Sequence, residues 1–295
     1  MAGGEGINHE LSLGEVITKT FELYRKNFMT YLVLFLVIEA VFALLSAAVV
    51  QVVNLPSLGT NPTSQQVASW VSGSLGTLIV AGLALLILAV VVFPIAEGAT
   101  IKMASDEIQN RTPQIMTAVS FAASKLLSMW ALGILLSVIV FIGFIALIIP
   151  GIILAIMFSL VLPALLIENT GVLGSMNRSR ELVSHRWLKT FVTGLVLVIF
   201  VALISAVLGL VAIPFGPVSG FVSSVLGAFS APIIPIAMTV YYYSNLARIT
   251  PAPLTQIAGT QPTMAPPGLK YCSNCGTQLV ASARFCSNCG AKQPA

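Results

Sequence analysis

Long apolar segments without charge alternate along the chain with short segments that carry nearly all of its charged residues. A helix needs about 20 apolar residues to cross the roughly 30 Å hydrocarbon core of a bilayer. The sequence predicts six such helices, at residues 31–53, 75–96, 127–149, 151–167, 190–213 and 219–246. The pattern therefore predicts an all-α polytopic membrane domain over residues 1–248.

Two of the uncharged segments are too long for a single span. Residues 126–167 would form a helix about 63 Å long, twice the thickness of the hydrocarbon core. Pro150 and Gly151 predict a hinge there, because proline breaks the helical hydrogen bonding and glycine accepts a turn. Residues 214–217, Pro-Phe-Gly-Pro, predict the second hinge, between spans five and six.

Composition and charge support this interpretation. Hydrophobic residues make up 57% of the chain and charged residues 8%, against about 25% charged in an ordinary soluble domain. All 14 Lys and Arg residues precede span one, follow span six, or lie between spans two and three or four and five. Positive charge marks the cytoplasmic side. We therefore expect a multi-pass protein of the plasma membrane with both termini in the cytoplasm.

Three charged segments have the periodicity of amphipathic helices. In residues 12–28 apolar positions recur at spacings of three and four, and Ser12 with Glu15 forms the pattern of a capping box. Residues 173–187 are similar, and residues 113–125 more weakly so. The segments are either separate helices at the membrane interface, in a unit repeated three times, or extensions of the neighbouring spans.

Glu39 is the ionisable residue that lies well inside a predicted span, where a charge costs about 2.5 to 3.5 kcal/mol. It is a possible functional site for a proton or cation. The alternative, which we favour, is a protonated or hydrogen-bonded carboxyl packed between helices. Glu97 and Glu168 lie at the cytoplasmic ends of predicted spans, where water can reach them, and are interpreted as residues at the membrane boundary. Four prolines lie in or at the ends of spans, where each would free a backbone carbonyl: Pro94, Pro163, Pro232 and Pro235.

Residues 249–295 differ in composition from the apolar segments before them. Residues 249–269 contain five prolines and no charge, which predicts an extended linker. Residues 270–291 hold all four cysteines of the chain as two Cys-x-x-Cys pairs: Cys272, Cys275, Cys286 and Cys289. Four thiolates at this spacing predict one structural Zn²⁺ with a closed coordination shell. Two disulfides are the alternative, which a reducing cytoplasm disfavours. The aromatic residues Tyr271 and Phe285 are expected to cover the metal, or else to stack on bases.

The tail resembles the short zinc ribbons at the ends of many prokaryotic proteins. The segments "LSLGEVITKTFELYRKNF", "IIPGIILAIMFSLVLPALLIEN" and "VLGSMNRSRELVSHRW" resemble the membrane domain attached to some glycerophosphoryl diester phosphodiesterases. That resemblance implies the membrane architecture over residues 11–247. It does not carry over hydrolysis, since the family's activity belongs to a separate soluble barrel that this chain lacks.

These features lead to a functional hypothesis. We find no catalytic constellation and expect a non-enzymatic scaffold, sensor or adaptor, embedded in the lipid bilayer, whose cytoplasmic zinc ribbon docks a protein partner. A small-molecule or lipid transporter using Glu39 and kinked helices is the alternative. The sparse basic residues around the tail argue against a nucleic-acid partner.

Overall fold

The computed structural model describes residues 6–52, 62–250, 269–271, 278–280, 283–285 and 290–292. The chain divides into two units, Met1–Thr250 and Pro251–Ala295. The first is helical, and a 3₁₀ helix at Ile213–Val218 separates its eighth and ninth α-helices. Its α-helices are α1 Leu13–Lys26, α2 Phe28–Val52, α3 Ser64–Ile108, α4 Ile115–Ala146, α5 Ile148–Met157, α6 Val161–Glu168, α7 Gly171–Val183, α8 Trp187–Ala212, α9 Ser219–Gly227 and α10 Ile233–Ile249.

Five helical segments of the described residues are long and apolar enough to cross a membrane. They are Phe28–Leu45, Ser64–Ile108, Ile115–Ala146, Ile148–Glu168 and Trp187–Gly216. Their outer surfaces are unusually apolar. In α3, none of the most apolar 18-residue window is buried inside the protein. Exposed apolar surface of this extent is unfavourable in water, so the helical unit is compatible with a membrane protein.

The prediction of one continuous helix over residues 219–246 is wrong. The segment forms α9 and α10, which a turn at residues 228–232 separates. Pro232 precedes α10 and Pro235 lies in its first turn, where the missing proline N–H costs no helical hydrogen bond. Most of α10 is buried, and it packs against α1, α3 and α7.

The segment predicted at residues 151–167 is also divided, into α5 and α6. The break at residues 158–160 leaves backbone groups unpaired, and Ser179 of α7 satisfies two of them. Its hydroxyl donates to the Met157 carbonyl at 2.8 Å and accepts from the Leu160 N–H at 3.2 Å. Pro163 lies in the first turn of α6, as Pro235 does in α10.

The hinge of the α4–α5 hairpin lies at Leu147, not at Pro150 and Gly151 as predicted. Leu147 is extended (φ −168°, ψ 151°), and Pro150 is already inside the first turn of α5, a position that proline tolerates. Gly151 instead permits close packing of the two helices. A Cβ atom there would lie 2.6 Å from Cγ of Phe144. The second predicted hinge is confirmed by the 3₁₀ helix, in which Gly216 has a positive φ of 55°.

The predicted amphipathic helices differ in outcome. The first is confirmed as α1, with a complete capping box: the Ser12 N–H donates to Glu15 Oε2 at 2.7 Å, and the Glu15 N–H to Ser12 Oγ at 3.4 Å. Asn27 alone separates it from α2. The second is α7, which a turn at residues 184–186 separates from α8. The third is the first part of α4 and is therefore an extension of a span.

The core of the helical unit lies at its charged end. It combines α1, the start of α2, the end of α3, the start of α4 and most of α10. Tyr31, Met103, Tyr241 and Tyr242 are among its largest buried side chains. The apolar segments beyond this core are largely exposed, which fits a protein whose base packs on itself and whose remaining helices contact lipid.

The second unit contains a small antiparallel sheet. Strands β1 Leu269–Tyr271 and β2 Gln278–Val280 pair in register, with Tyr271 opposite Gln278. A further antiparallel bridge joins Phe285 to Lys292. The buried side chain of Leu279 packs against Ala283 and Ala291 and forms a small core for the described part of the unit.

Candidate functional site

Ion pairs of the described residues lie at the charged end of the helical unit. We call this set the polar base, which comprises Glu10, Lys102, Asp106, Arg111, Glu168, Arg178, Glu181 and Lys189. Oδ1 of Asp106 in α3 forms ion pairs with Nζ of Lys102 at 2.6 Å and with a terminal guanidinium nitrogen of Arg111 at 2.7 Å. The neighbouring Ser105 Oγ lies 2.7 Å from the Tyr243 hydroxyl of α10. The bond between Ser105 and Tyr243 joins the end of α3 to α10, whereas the ion pairs of Asp106 stabilise the last turns of α3 and the residues that follow it.

Glu168 is more than a boundary residue. Its carboxylate pairs with Arg178 Nε at 2.8 Å and accepts a hydrogen bond from the Tyr242 hydroxyl. Burial disfavours the Arg178 cation, but hydrogen bonds to Glu168 and Glu181 outweigh this effect and raise its pKa. The interaction ties α6, α7 and α10 together. Tyr242 lies far from Glu168 in the sequence, and no local pattern predicts their contact.

Glu10 anchors the segment before α1 to the start of α8. Lys189 donates hydrogen bonds to Glu10 Oε1 and, at 3.0 Å, to the Leu11 carbonyl. Burial raises the pKa of Glu10, but the hydrogen bond and charge of Lys189 and the charge of Arg186 outweigh it, so the pKa is lowered overall. A shallow groove of about 440 Å³ lies beside this contact, lined by His185, Lys189 and apolar residues of α8.

Glu107, one residue beyond Asp106, is buried with a poorly satisfied carboxylate. Its side chain is 2% exposed, and Lys26 Nζ lies 3.4 Å from Oε1. Among the described residues, none forms a hydrogen bond with either carboxylate oxygen or with the buried hydroxyl of Tyr31. Sequence reasoning missed Glu107, because it falls in a segment with ordinary charge density.

Glu39 lies half-buried in α2. Within the described ranges of the chain it has no hydrogen bond or ion pair, and it lines neither the groove beside Lys189 nor a second groove between α3, α4 and α6. No second ionisable group therefore joins it in a relay there. The transporter hypothesis that rests on Glu39 stays a hypothesis.

A second groove, of about 510 Å³, lies between α3, α4 and α6. Ligand pockets in proteins usually have volumes of about 300 to 1,000 Å³. Its wall includes Val90, Pro94, Glu97, Trp130 and Gly133. We call it the α3–α4 groove. The Glu97 side chain is exposed and forms part of the groove wall. The residue that was predicted to mark the end of a span therefore lies beside an apolar depression.

Pro94 and Trp130 form one arrangement in the wall of this groove. Proline has no N–H, so Pro94 leaves the carbonyl four residues before it, that of Val90, without its helical partner. Trp130 Nε1 donates to this carbonyl at 2.9 Å. The sequence predicted a freed carbonyl at Pro94, and the structure identifies the donor on α4.

The predicted metal ligands Cys272, Cys275, Cys286 and Cys289 lie outside the described residues. Two backbone pairings that the structure describes nevertheless lie directly before and after the cysteine pairs in the sequence. Tyr271 and Gln278 pair on either side of the first cysteine pair, and Phe285 and Lys292 on either side of the second. Two pairings that each enclose one Cys-x-x-Cys segment of the sequence fit a ribbon that presents cysteines from two sides. Phe285 is 62% exposed, so it does not form a closed cover in the described unit.

Comparison with known families agrees with this division of the chain. Residues 271–293 match the model of a zinc-ribbon domain, and residues 113–245 match a domain of unknown function, DUF7847. No curated protein and no solved structure matches the chain. The chain thus combines a helical, membrane-compatible unit with a C-terminal zinc-ribbon domain. No family related to the phosphodiesterases matches, so that resemblance remains a hypothesis.

Proposed function

We propose that this protein is a non-enzymatic membrane adaptor, anchored by its helical unit, whose zinc ribbon docks a protein partner in the cytoplasm. The observation that carries the proposal is the second unit itself. It is a zinc-ribbon domain separate from the helical unit, with an exposed aromatic side chain, Phe285, beside the exposed Lys292. Aromatic residues are enriched in protein interfaces relative to the rest of the surface.

Zinc would stabilise the docking surface and take no part in chemistry. Cys272, Cys275, Cys286 and Cys289 would hold the ion as thiolates. A segment this small buries too little apolar surface to fold alone, and zinc contributes about 10 to 16 kcal/mol in comparable peptides. Four thiolates close the coordination shell, whereas a catalytic zinc keeps a position open for water.

The docking proposal is tested in cells by quantitative proximity labelling of the full chain. A true partner is lost with Cys272→Ser, which removes a proposed ligand, and with Phe285→Ala, which removes the exposed ring. It is retained with Ser273→Ala, a change between Cys272 and Cys275 that spares all four cysteines. Partner sets that are identical in all four proteins would refute the proposal. A partner lost only with Cys272→Ser would move the contact away from Phe285.

The proposed orientation places both termini in the cytoplasm of a plasma-membrane protein, as the distribution of Lys and Arg suggests. It is tested with single cysteines in a background lacking the native four. A cysteine at Gln65, exposed at the start of α3, should react with an impermeant maleimide in intact cells. One at Thr112, exposed after the end of α3, should react only after the cells are lysed. Labelling of Thr112→Cys in intact cells would refute the orientation.

A further inference from the structure

The α3–α4 groove combines an apolar wall with one carboxylate. Val90, Pro94, Leu136 and Leu162 supply apolar surface, and Glu97 supplies the charge. Among the described residues, none forms an ion pair or side-chain hydrogen bond with Glu97, in contrast to the paired carboxylates of the polar base. An unpaired carboxylate beside apolar surface favours a ligand that carries a positive charge.

The position of the groove restricts the ligand further. Val90 and Ile134 on its rim are 43% and 67% exposed, so it opens on the apolar outer surface of the helices. If this surface contacts lipid, the groove is entered from the bilayer. Glu97 lies five residues before Lys102 on α3, about 7.5 Å along the helix from the polar base. The carboxylate is therefore placed near the head-group level, with the apolar wall beyond it.

The positive group that fits best is a primary ammonium. It donates hydrogen bonds to a carboxylate as well as attracting it by charge, whereas a quaternary ammonium only attracts. We propose that the α3–α4 groove is a binding site for a membrane lipid with a primary ammonium head group, which Glu97 holds while an acyl chain lies along Val90 and Pro94.

The test uses Trp130, which stands in the groove wall, as a fluorescent reporter. The full chain carrying Trp70→Phe and Trp187→Phe retains Trp130 as its one tryptophan. It is reconstituted into phosphatidylcholine nanodiscs with increasing fractions of acyl-brominated phosphatidylethanolamine or acyl-brominated phosphatidylcholine. Bromine quenches tryptophan on contact. Half-maximal quenching is expected at a phosphatidylethanolamine fraction about threefold or more lower than for phosphatidylcholine, the ratio that one additional net hydrogen bond gives.

Two variants make the result specific. Glu97→Gln keeps the shape of the side chain and should abolish the preference for phosphatidylethanolamine, while Glu39→Gln, a carboxylate outside the groove, should leave it unchanged. Gly133→Leu should reduce quenching by both lipids, because a Cβ at Gly133 meets no atom within 4 Å and a larger side chain would fill the groove. Circular dichroism and the unquenched emission maximum confirm that each variant is folded. Equal quenching by both lipids in the parent protein, or a preference that survives Glu97→Gln, would overturn the proposal.

Discussion

The hydrogen bond between Trp130 and the Val90 carbonyl should matter only because Pro94 is present. In the native chain, Trp130→Phe removes the donor and leaves the carbonyl unpaired in an apolar setting. With Pro94→Ala, the new backbone N–H at position 94 lies where a helix places the donor to the carbonyl at position 90. Trp130→Phe should then cost much less, because Val90 has a helical partner.

The magnitude follows from the nature of the bond. The donor–acceptor distance of 2.9 Å is that of an ordinary N–H···O bond. Interhelical hydrogen bonds in membrane proteins contribute about 0.6 kcal/mol on average and up to about 1.7 kcal/mol. We expect a coupling free energy of about 1 kcal/mol between the two substitutions. The loss of ring volume in Trp130→Phe occurs in both backgrounds and cancels in the cycle.

The assay is reversible unfolding in mixed micelles, which gives the free energy of unfolding for the parent, both single variants and the double variant. Trp187→Phe serves as a matched control. Trp187 is 51% exposed and lies on α8, away from Pro94, and its substitution should show no coupling. If Trp130→Phe costs the same with and without Pro94, the hydrogen bond does not compensate for the proline and the reasoning is wrong.

Three further predictions concern other parts of the chain. Gly151→Ala should destabilise the helical unit by about 1 to 3 kcal/mol, because the added Cβ would meet the facing ring of Phe144. Gly133→Ala is the control and should not destabilise the unit, because its Cβ would meet no atom within 4 Å. Thermal unfolding of the two variants measures the difference. The pKa of Glu10 is lower in the folded state than its unfolded-state value of 4.5. The ionised carboxylate therefore stabilises the fold above pH 4.5, and this stabilisation is lost as the pH falls through the folded-state pKa. The free energies of unfolding of the parent and of Glu10→Gln should differ at neutral pH and converge in acid. The purified chain should contain about one zinc by mass spectrometry, and Cys272→Ser should lose it while the thermal transition of the helical unit stays unchanged. A shift of that transition on chelation would mean that the zinc ribbon stabilises the helical unit and would contradict this prediction.

Features that depend on neighbouring residues could be predicted from the sequence. The capping box involves only Ser12 and Glu15, three residues apart, and the structure confirms it. The break at residues 214–217 likewise follows from two prolines and a glycine. Such features depend on neighbours along the chain, so their energetics do not require knowledge of the fold.

Features that depend on distant residues could not be read in this way. The break between α9 and α10 has a local signal in Pro232 and Pro235, but Pro94 lies inside the continuous helix α3, so proline alone does not distinguish a break from a kink. The displaced hinge at Leu147 depends on Phe144 meeting Gly151 across the hairpin. The partners of Glu168 and Val90 lie on other helices, at Tyr242 and Trp130. Helix periodicity identifies a face but not the side chain opposite it.

The unbroken length of α3 has a mechanical consequence. At 45 residues it measures about 68 Å, more than twice the thickness of a hydrocarbon core, so as a membrane helix it would project into the aqueous phase on both sides. Its last turn is joined to α10 by the bond between Ser105 and Tyr243, and its middle to α4 by the bond from Trp130 to Val90, whereas its first turns are largely exposed. The exposed part of α3 before this contact therefore acts as a lever. A tilt of about 10° at Pro94 would carry its first residue, about 45 Å away, through about 8 Å, and a force applied at that end would act on the hydrogen bond between Trp130 and the Val90 carbonyl.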